Sequence, residues 1–154
     1  TKHRLNRKEQ ISLLLLRAII GTGFIIHGWA KISRGTAGFE KLLILKSVPF
    51  PHLAATIIPY IELFGGFVIL LGIFVVITAV PLVIAMLAAM FTIHIRNGFS
   101  SVNTIGLTPD GPKFGPPGYE INLLYIAGLI SLILTGAGNF SVDYLIKKKR
   151  HKLK

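Results

Sequence analysis

The chain has 154 residues, 52% of them hydrophobic and 15% charged, with a mean hydropathy of +0.67. About a quarter of the residues in a soluble domain are charged, so this composition excludes an ordinary soluble fold and indicates a single integral membrane domain. The net charge of +11 is concentrated at the two ends, which is how a membrane protein marks its cytoplasmic side and not the pattern of a nucleic-acid binder.

A polar, basic start (Lys2, Arg4, Arg7, Lys8) leads into a first crossing at about residues 11–30. Its apolar run is too long for a signal peptide and no small-residue cleavage site follows, so it reads as a retained helix. Arg17, Gly21, Phe24, Gly28 and Lys31 fall on one stripe at helical spacing, with His27 beside it. Small residues on a stripe admit a second helix at close range, so the stripe is expected to face the bundle, with Lys31 snorkelling at the far surface. Between residues 33 and 51, Phe39, Leu42 and Leu43 recur at helical spacing among Glu40, Lys41 and Lys46. That predicts a short amphipathic helix on the membrane surface, ended by Val48-Pro49-Phe50-Pro51.

Residues 53–95 are apolar almost throughout, and Glu62 is the only formal charge among them. One crossing needs about 20 apolar residues, so the stretch makes two, at 53–72 and 75–95, turning at Gly72-Ile73-Phe74-Val75. Asn97 to Gly118 is rich in glycine and proline and reads as an irregular extramembrane loop. Tyr119 and Glu120 open a fourth crossing over 119–136, after which Ser141 caps a short helix with Asp143 in its first turn. A basic tail over 147–154 (Lys147, Lys148, Lys149, Arg150, Lys152, Lys154) closes the chain. The fold class is therefore all-α, an integral membrane four-transmembrane-helix bundle with short interfacial helices. Four crossings put both termini on one side, and the basic clusters place that side in the cytoplasm.

With this topology His27 and His94 fall near the outer ends of their helices, Glu120 starts a helix at the same level, and Arg96 lies just outside. At a rise of about 1.5 Å per residue, Glu62 lies roughly 13 Å below the outer edge and Arg17 roughly 9 Å above the inner one. Their levels differ by little more than an arginine's reach, so a polar column of Arg17, Glu62, His27, His94 and Glu120 is expected, with Glu62 bonded to Arg17 or His27. Each member also has a plainer role. Arg17 and Glu62 could be a structural pair, the histidines packing residues, and Glu120 a complement to a helix dipole. Lys31, Arg96 and the cluster Lys147, Lys148, Lys149 and Arg150 mark membrane surfaces, the last also attracting anionic lipid. No metal site is expected, because no further donor spacing supports the two histidines and there is no cysteine.

The pattern Arg17-x3-Gly21-x2-Phe24-x2-His27-Gly28-x2-Lys31 resembles the first helix of DoxX-family membrane proteins. The resemblance continues through Gly35-Thr36-Ala37-Gly38-Phe39, Glu62-x2-Gly65-Gly66-x3-Leu70-x-Gly72, His94-Ile95-Arg96-Asn97-Gly98-Phe99, Gly118-Tyr119-Glu120 and Gly138-Asn139-Phe140-Ser141-Val142-Asp143. It implies a four-helix protein of a bacterial or archaeal inner membrane. Relatives include the membrane subunit of a thiosulfate:quinone oxidoreductase and a protein that assembles with a superoxide dismutase and a sulfurtransferase. Family members often carry Thr-Arg at the turn between the second and third helices, where this chain has Val75-Val76. Without cysteine the chain itself cannot hold a sulfur intermediate or relay a disulfide.

Three functions compete. The first is a non-catalytic accessory or scaffold subunit of a larger redox or respiratory-type assembly. The second is a quinone-binding membrane subunit, in which His27, His94 and Glu62 meet the quinone carbonyls and pass protons while a partner supplies electrons. The third is a small solute or lipid carrier with Glu62 as a proton-coupled site, although Arg17 and His27 have no counterparts in the second half of the chain. The partners implied are membrane lipids and other membrane, periplasmic or cytoplasmic redox proteins, without nucleic acid. A quinone is the one non-covalent cofactor in view.

Overall fold

The computed structural model describes residues 6–152; Lys2, Arg4 and Lys154 lie outside the described residues, as do the side chains of Arg150 and Lys152. Among the described residues there are six α-helices: α1 (Arg7–Ser33), α2 (Thr36–Leu45), α3 (Pro51–Leu71), α4 (Val75–Ala89), α5 (Glu120–Thr135) and α6 (Val142–Lys152). α1, α3 and α4 with its continuation to Asn97 are long and apolar enough to cross a membrane, and α5 is a shorter apolar helix. At about 1.5 Å per residue its 16 residues give roughly 24 Å, shorter than the 119–136 crossing read from the sequence. Together α1, α3, α4 and α5 form the four-helix bundle. α1 packs along α3, α4 along α5, and α3 with α4 and α1 with α5 close the ring.

The α1–α3 contact follows from glycine. A Cβ at Gly28 would lie 2.5 Å from both Pro59 O and Leu63 N, and one at Gly66 would lie 2.6 Å from Gly21 O. The two backbones therefore touch, an approach only glycine permits, and in lipid such packing replaces the missing hydrophobic drive between helices. Leu13, Ile20 and Phe24 of α1 meet Ile69, Leu82, Met86, Ile126, Leu129 and Leu132 in the core. Outside, Leu15, Ile19, Phe64, Ile77, Ile84 and Leu134 present an exposed apolar belt, as expected of helices whose solvent is hydrocarbon.

Gly72 ends α3 with left-handed dihedrals (φ 72°, ψ 45°), and Ile73 N bonds back to Val68 O at 3.0 Å, so the tight turn falls where the glycine predicted it. α2 lies against α3 with Leu43 buried and Phe39 and Leu42 half-buried, all three facing the bundle. Glu40 and His52 tie the two helices at 3.3 Å.

Two segments differ from the sequence reading. The loop over 97–118 is not irregular: Thr104–Thr108 (β1) pairs antiparallel with Gly111–Phe114 (β2). Pro109 presets the turn and Gly111 takes a φ of 122°, so the Pro-Asp-Gly of the tip is a hairpin signal hidden by the surrounding glycine and proline. The third crossing does not stay α-helical to Ile95. It widens into a π-helical turn over Met90–His94 and tightens to a 3-10 turn over Ile95–Asn97, a local rewinding often found at functional sites.

Replacing Gly66 by alanine is expected to cost about 3 kcal/mol, because backbone on both sides leaves the methyl no room. Thermal melts of the two proteins in one detergent check this, and an unchanged melting temperature would contradict the contact.

Candidate functional site

Three carriers of charge in the spanning segments sort to opposite ends of the bundle. Lys31 Nζ donates to both carboxylate oxygens of Glu62. Glu62 is 2% exposed, so its charge depends on this partner. The Lys31 side chain keeps 26% of its surface and lies over the Phe39 ring, 4.9 Å from its centroid.

Arg17, 1% exposed, sits at the other end. Its Nη1 donates to Ala137 O at 2.5 Å and its Nη2 to Phe140 O at 2.6 Å. It thereby grips the backbone between α5 and α6. Around it, Gln10 Oε1 accepts from Asn139 N at 2.6 Å, Ser141 Oγ caps α6 through Tyr144 N at 3.2 Å, and Asp143 accepts from Phe74 N at 2.9 Å. The last bond ties α6 to the first turn of α4, next to Val75 and Val76.

The expected pairing of Glu62 with Arg17 or His27 is therefore corrected. A Cβ at Gly72 would overlap the Arg17 guanidinium, so Arg17 is level with Gly72. Glu62 is ten residues back along α3, about 15 Å away along the axis, whereas Lys31 is about 21 Å up α1 from Arg17. The remaining gap of roughly 6 Å suits a lysine and not an arginine at the wrong level. Depth counted from the apolar edges misplaced Arg17 because α1 begins at Arg7, four residues before the apolar run.

The polar column is thus two clusters. One of them opens onto a cavity of about 340 Å³ inside the bundle, with His27, Lys31, Glu62, His94 and Asn122 on its walls among apolar side chains that include Phe39, Leu43 and Met86. His94 is carried on the π-helical turn. Its Nδ1 donates to Pro117 O at 3.1 Å, a carbonyl that Asn97 Nδ2 shares at 3.0 Å. In the neutral ring this leaves the lone pair on Nε2. His27 packs against Tyr125 with ring centroids 5.9 Å apart, and Tyr125 meets Phe24 edge-on at 5.2 Å.

Glu120 does not join this cluster, which corrects the expected column a second time. Its Oε2 accepts from Ser101 N at 2.9 Å and Ser101 Oγ at 2.7 Å, so it fastens the extramembrane segment to the start of α5. Arg96 is exposed outside the cavity, and Lys147, Lys148 and Lys149 are exposed along α6. Arg150 belongs to the same run, but its side chain is outside the described residues. Among the described residues no group of three His, Cys, Asp or Glu could hold a metal ion.

Three contributors escaped the sequence reading. Asn122, 5% exposed, donates to Met86 O at 3.4 Å and faces the cavity. Tyr125 braces His27, and Gln10 anchors Asn139. The signal for the first two was a polar side chain in each of the opening turns of an otherwise apolar helix. Gln10 offered none, standing at the polar edge of α1.

The fold and site define a small membrane-embedded helical bundle with a mostly apolar cavity carrying a few polar side chains at one end and a loop held by a buried arginine at the other. The chain belongs to the DoxX family, whose profile matches residues 12–95. A second profile, described as TQO small subunit DoxD, matches residues 114–154. Among similar proteins, the putative oxidoreductase CatD of Bacillus subtilis is 27% identical over 96% of this chain and 96% of its own. The inner membrane protein YqjF of Escherichia coli is 29% identical over 94% of this chain and 99% of its own. An uncharacterized protein of Haemophilus influenzae is 29% identical over 90% of this chain and 85% of its own. No solved structure matches the chain.

Lys31→Met should cost about 3 kcal/mol by stranding a buried carboxylate, and adding Glu62→Leu should restore most of it, since an apolar pair can replace a buried ion pair. Thermal stability of the single and double variants in detergent checks this. A double variant no more stable than the single would refute the pairing.

Proposed function

We propose that this protein is an accessory membrane subunit of a redox assembly, and that its own contribution is to hold a quinone headgroup in the bundle cavity. The observation that carries this reading is the cavity itself. About 340 Å³ of mostly apolar space accommodates one substituted aromatic ring, and the polar side chains on its walls match the few carbonyls such a ring carries. The DoxD profile, described as a TQO small subunit, and the name of the Bacillus subtilis relative, a putative oxidoreductase, support the redox part of this reading.

A bound quinone supplies two-electron, two-proton redox chemistry, with electrons delivered by a partner protein. The chain's own residues bind and orient. Lys31 Nζ keeps one proton beyond the two that face Glu62, and it can donate that proton to a ring oxygen. His94 Nε2 holds or releases a proton while Nδ1–H stays fixed on Pro117 O. Tyr125 and Phe24 keep the His27 ring in place.

Protein extracted gently from its native membrane should carry quinone. His94→Phe should lose about tenfold of it, the effect of about 1.4 kcal/mol of lost binding, with a melting temperature lowered by no more than the loss of the bond to Pro117 O, about 1 kcal/mol. Wild type and variant equally free of quinone, with partner proteins still co-purifying, would leave a docking subunit and remove the quinone role.

We also propose that both termini face the cytoplasm, because α6 exposes Lys147, Lys148 and Lys149 at the same end of the bundle as the start of α1. The sequence has no cysteine, so single cysteines at Thr108 and Lys148 can be labelled with an impermeant reagent on spheroplasts. Labelling is expected at Thr108 alone, and the reverse pattern would invert the orientation.

A further inference from the structure

A second cavity, of about 400 Å³, lies between the end of α1 and the start of α2 and opens to the surface. Ile26, Ala30 and Phe39 give it an apolar wall, and Lys31 and Arg34 stand three residues apart on the same side of the chain. Lys31 lines both this groove and the bundle cavity, as do His27 and Phe39, and it is the one of the three that carries an ammonium. From inside it is held by Glu62, whose side chain is 3% exposed, while Lys31 at 26% reaches outward. Arg34 is exposed and has no ion pair among the described residues.

Gly38 supplies an independent observation. It stands inside α2, where glycine is disfavoured relative to alanine, and its backbone is helical. A Cβ there would meet no atom within 4 Å. Neither a special dihedral nor close packing within the chain accounts for this glycine, and the space it leaves open belongs to the groove.

We propose that the groove binds a phosphate-type anion, which in the membrane is the headgroup of an anionic phospholipid. Arg34 is the C-cap of α1, the level at which a long cationic side chain meets headgroups. Its planar guanidinium takes two phosphate oxygens at once, and Lys31 adds a point charge beside it. Ile26, Ala30 and Phe39 receive the first methylenes of an acyl chain. The anion and Glu62 draw on the same ammonium, so occupancy of the groove and the charge balance of the bundle cavity are coupled through Lys31.

Native mass spectrometry of the detergent-extracted protein, incubated with phosphatidylglycerol or phosphatidylcholine, tests this. Wild type should retain the anionic lipid about fivefold over the zwitterionic one, the effect of about one cation at a headgroup. Arg34→Gln and Gly38→Leu should lose the preference. Gly38→Leu places a good helix former on an open helix face, so it retains the fold. Glu62→Gln, which releases Lys31, should strengthen the preference. Inorganic phosphate forms a second arm. Displacement of phosphatidylglycerol by phosphate assigns recognition to the anion alone, and resistance to it assigns the whole lipid headgroup; either result supports the site. Equal retention of both lipids by wild type, or a preference unchanged in both Arg34→Gln and Gly38→Leu, overturns it. Neither Arg34 nor Gly38 lines the bundle cavity, so loss of the lipid preference in those two variants is read independently of the quinone proposal.

Discussion

The backbone contact between α1 and α3 is the constraint on which the rest depends. Gly21 and Gly28 on one helix and Gly66 on the other let peptide groups touch, and that contact fixes the rotation of both helices. Successive residues on a helix are about 100° apart, so a slip of one residue would drive a side chain into the facing backbone. It would also swing Lys31 away from Glu62. The buried ion pair is therefore a consequence of glycine packing as much as a cause of helix association, and the cavity beside it inherits the same geometry.

From that frame the two ends of the bundle diverge. At the Arg17 end every polar contact is directed at closing the chain on itself. A guanidinium takes two backbone carbonyls, Gln10 takes a backbone amide, and Asp143 takes the amide of Phe74, the N-cap of α4. Those bonds place the start of α6 against the α3–α4 turn, and with it the basic run. Gly72 is required there twice over, once for its left-handed φ and once because a side chain would strike Arg17 and Ser141.

Much of this was legible from residues alone, for reasons that can be named. The spans followed from apolar length, the α3–α4 turn from Gly72, the inward face of α1 from its glycine stripe, and α2 from the spacing of Phe39, Leu42 and Leu43. Family membership followed from motifs spread along the whole chain. The failures concern partners. Arg17 and Glu62 matched in charge and nearly in estimated depth, yet depth depends on where each helix begins, and the apolar pattern does not mark the polar turn that precedes Ile11. Glu120 sat at the right height, but its direction was decided by Ser101 in a loop whose hairpin went unread. The π-helical turn that aims His94 has no sequence signature at all, because Phe91, Thr92 and Ile93 suit an α-helix equally well.

The two ends also differ in what their buried charges do for the fold. A buried ion pair contributes little net stability, because desolvating both charges offsets their attraction, and well-packed apolar side chains serve a core equally well. The Arg17 cluster answers that objection internally: its hydrogen bonds hold the backbone of the α5–α6 loop against the bundle. The Lys31–Glu62 pair has no such return. It joins two helices already in backbone contact, it leaves part of the lysine exposed, and its lysine lines both cavities. A charge pair that packing does not require, with its lysine on the walls of both cavities, is the feature on which the two proposals made above rest.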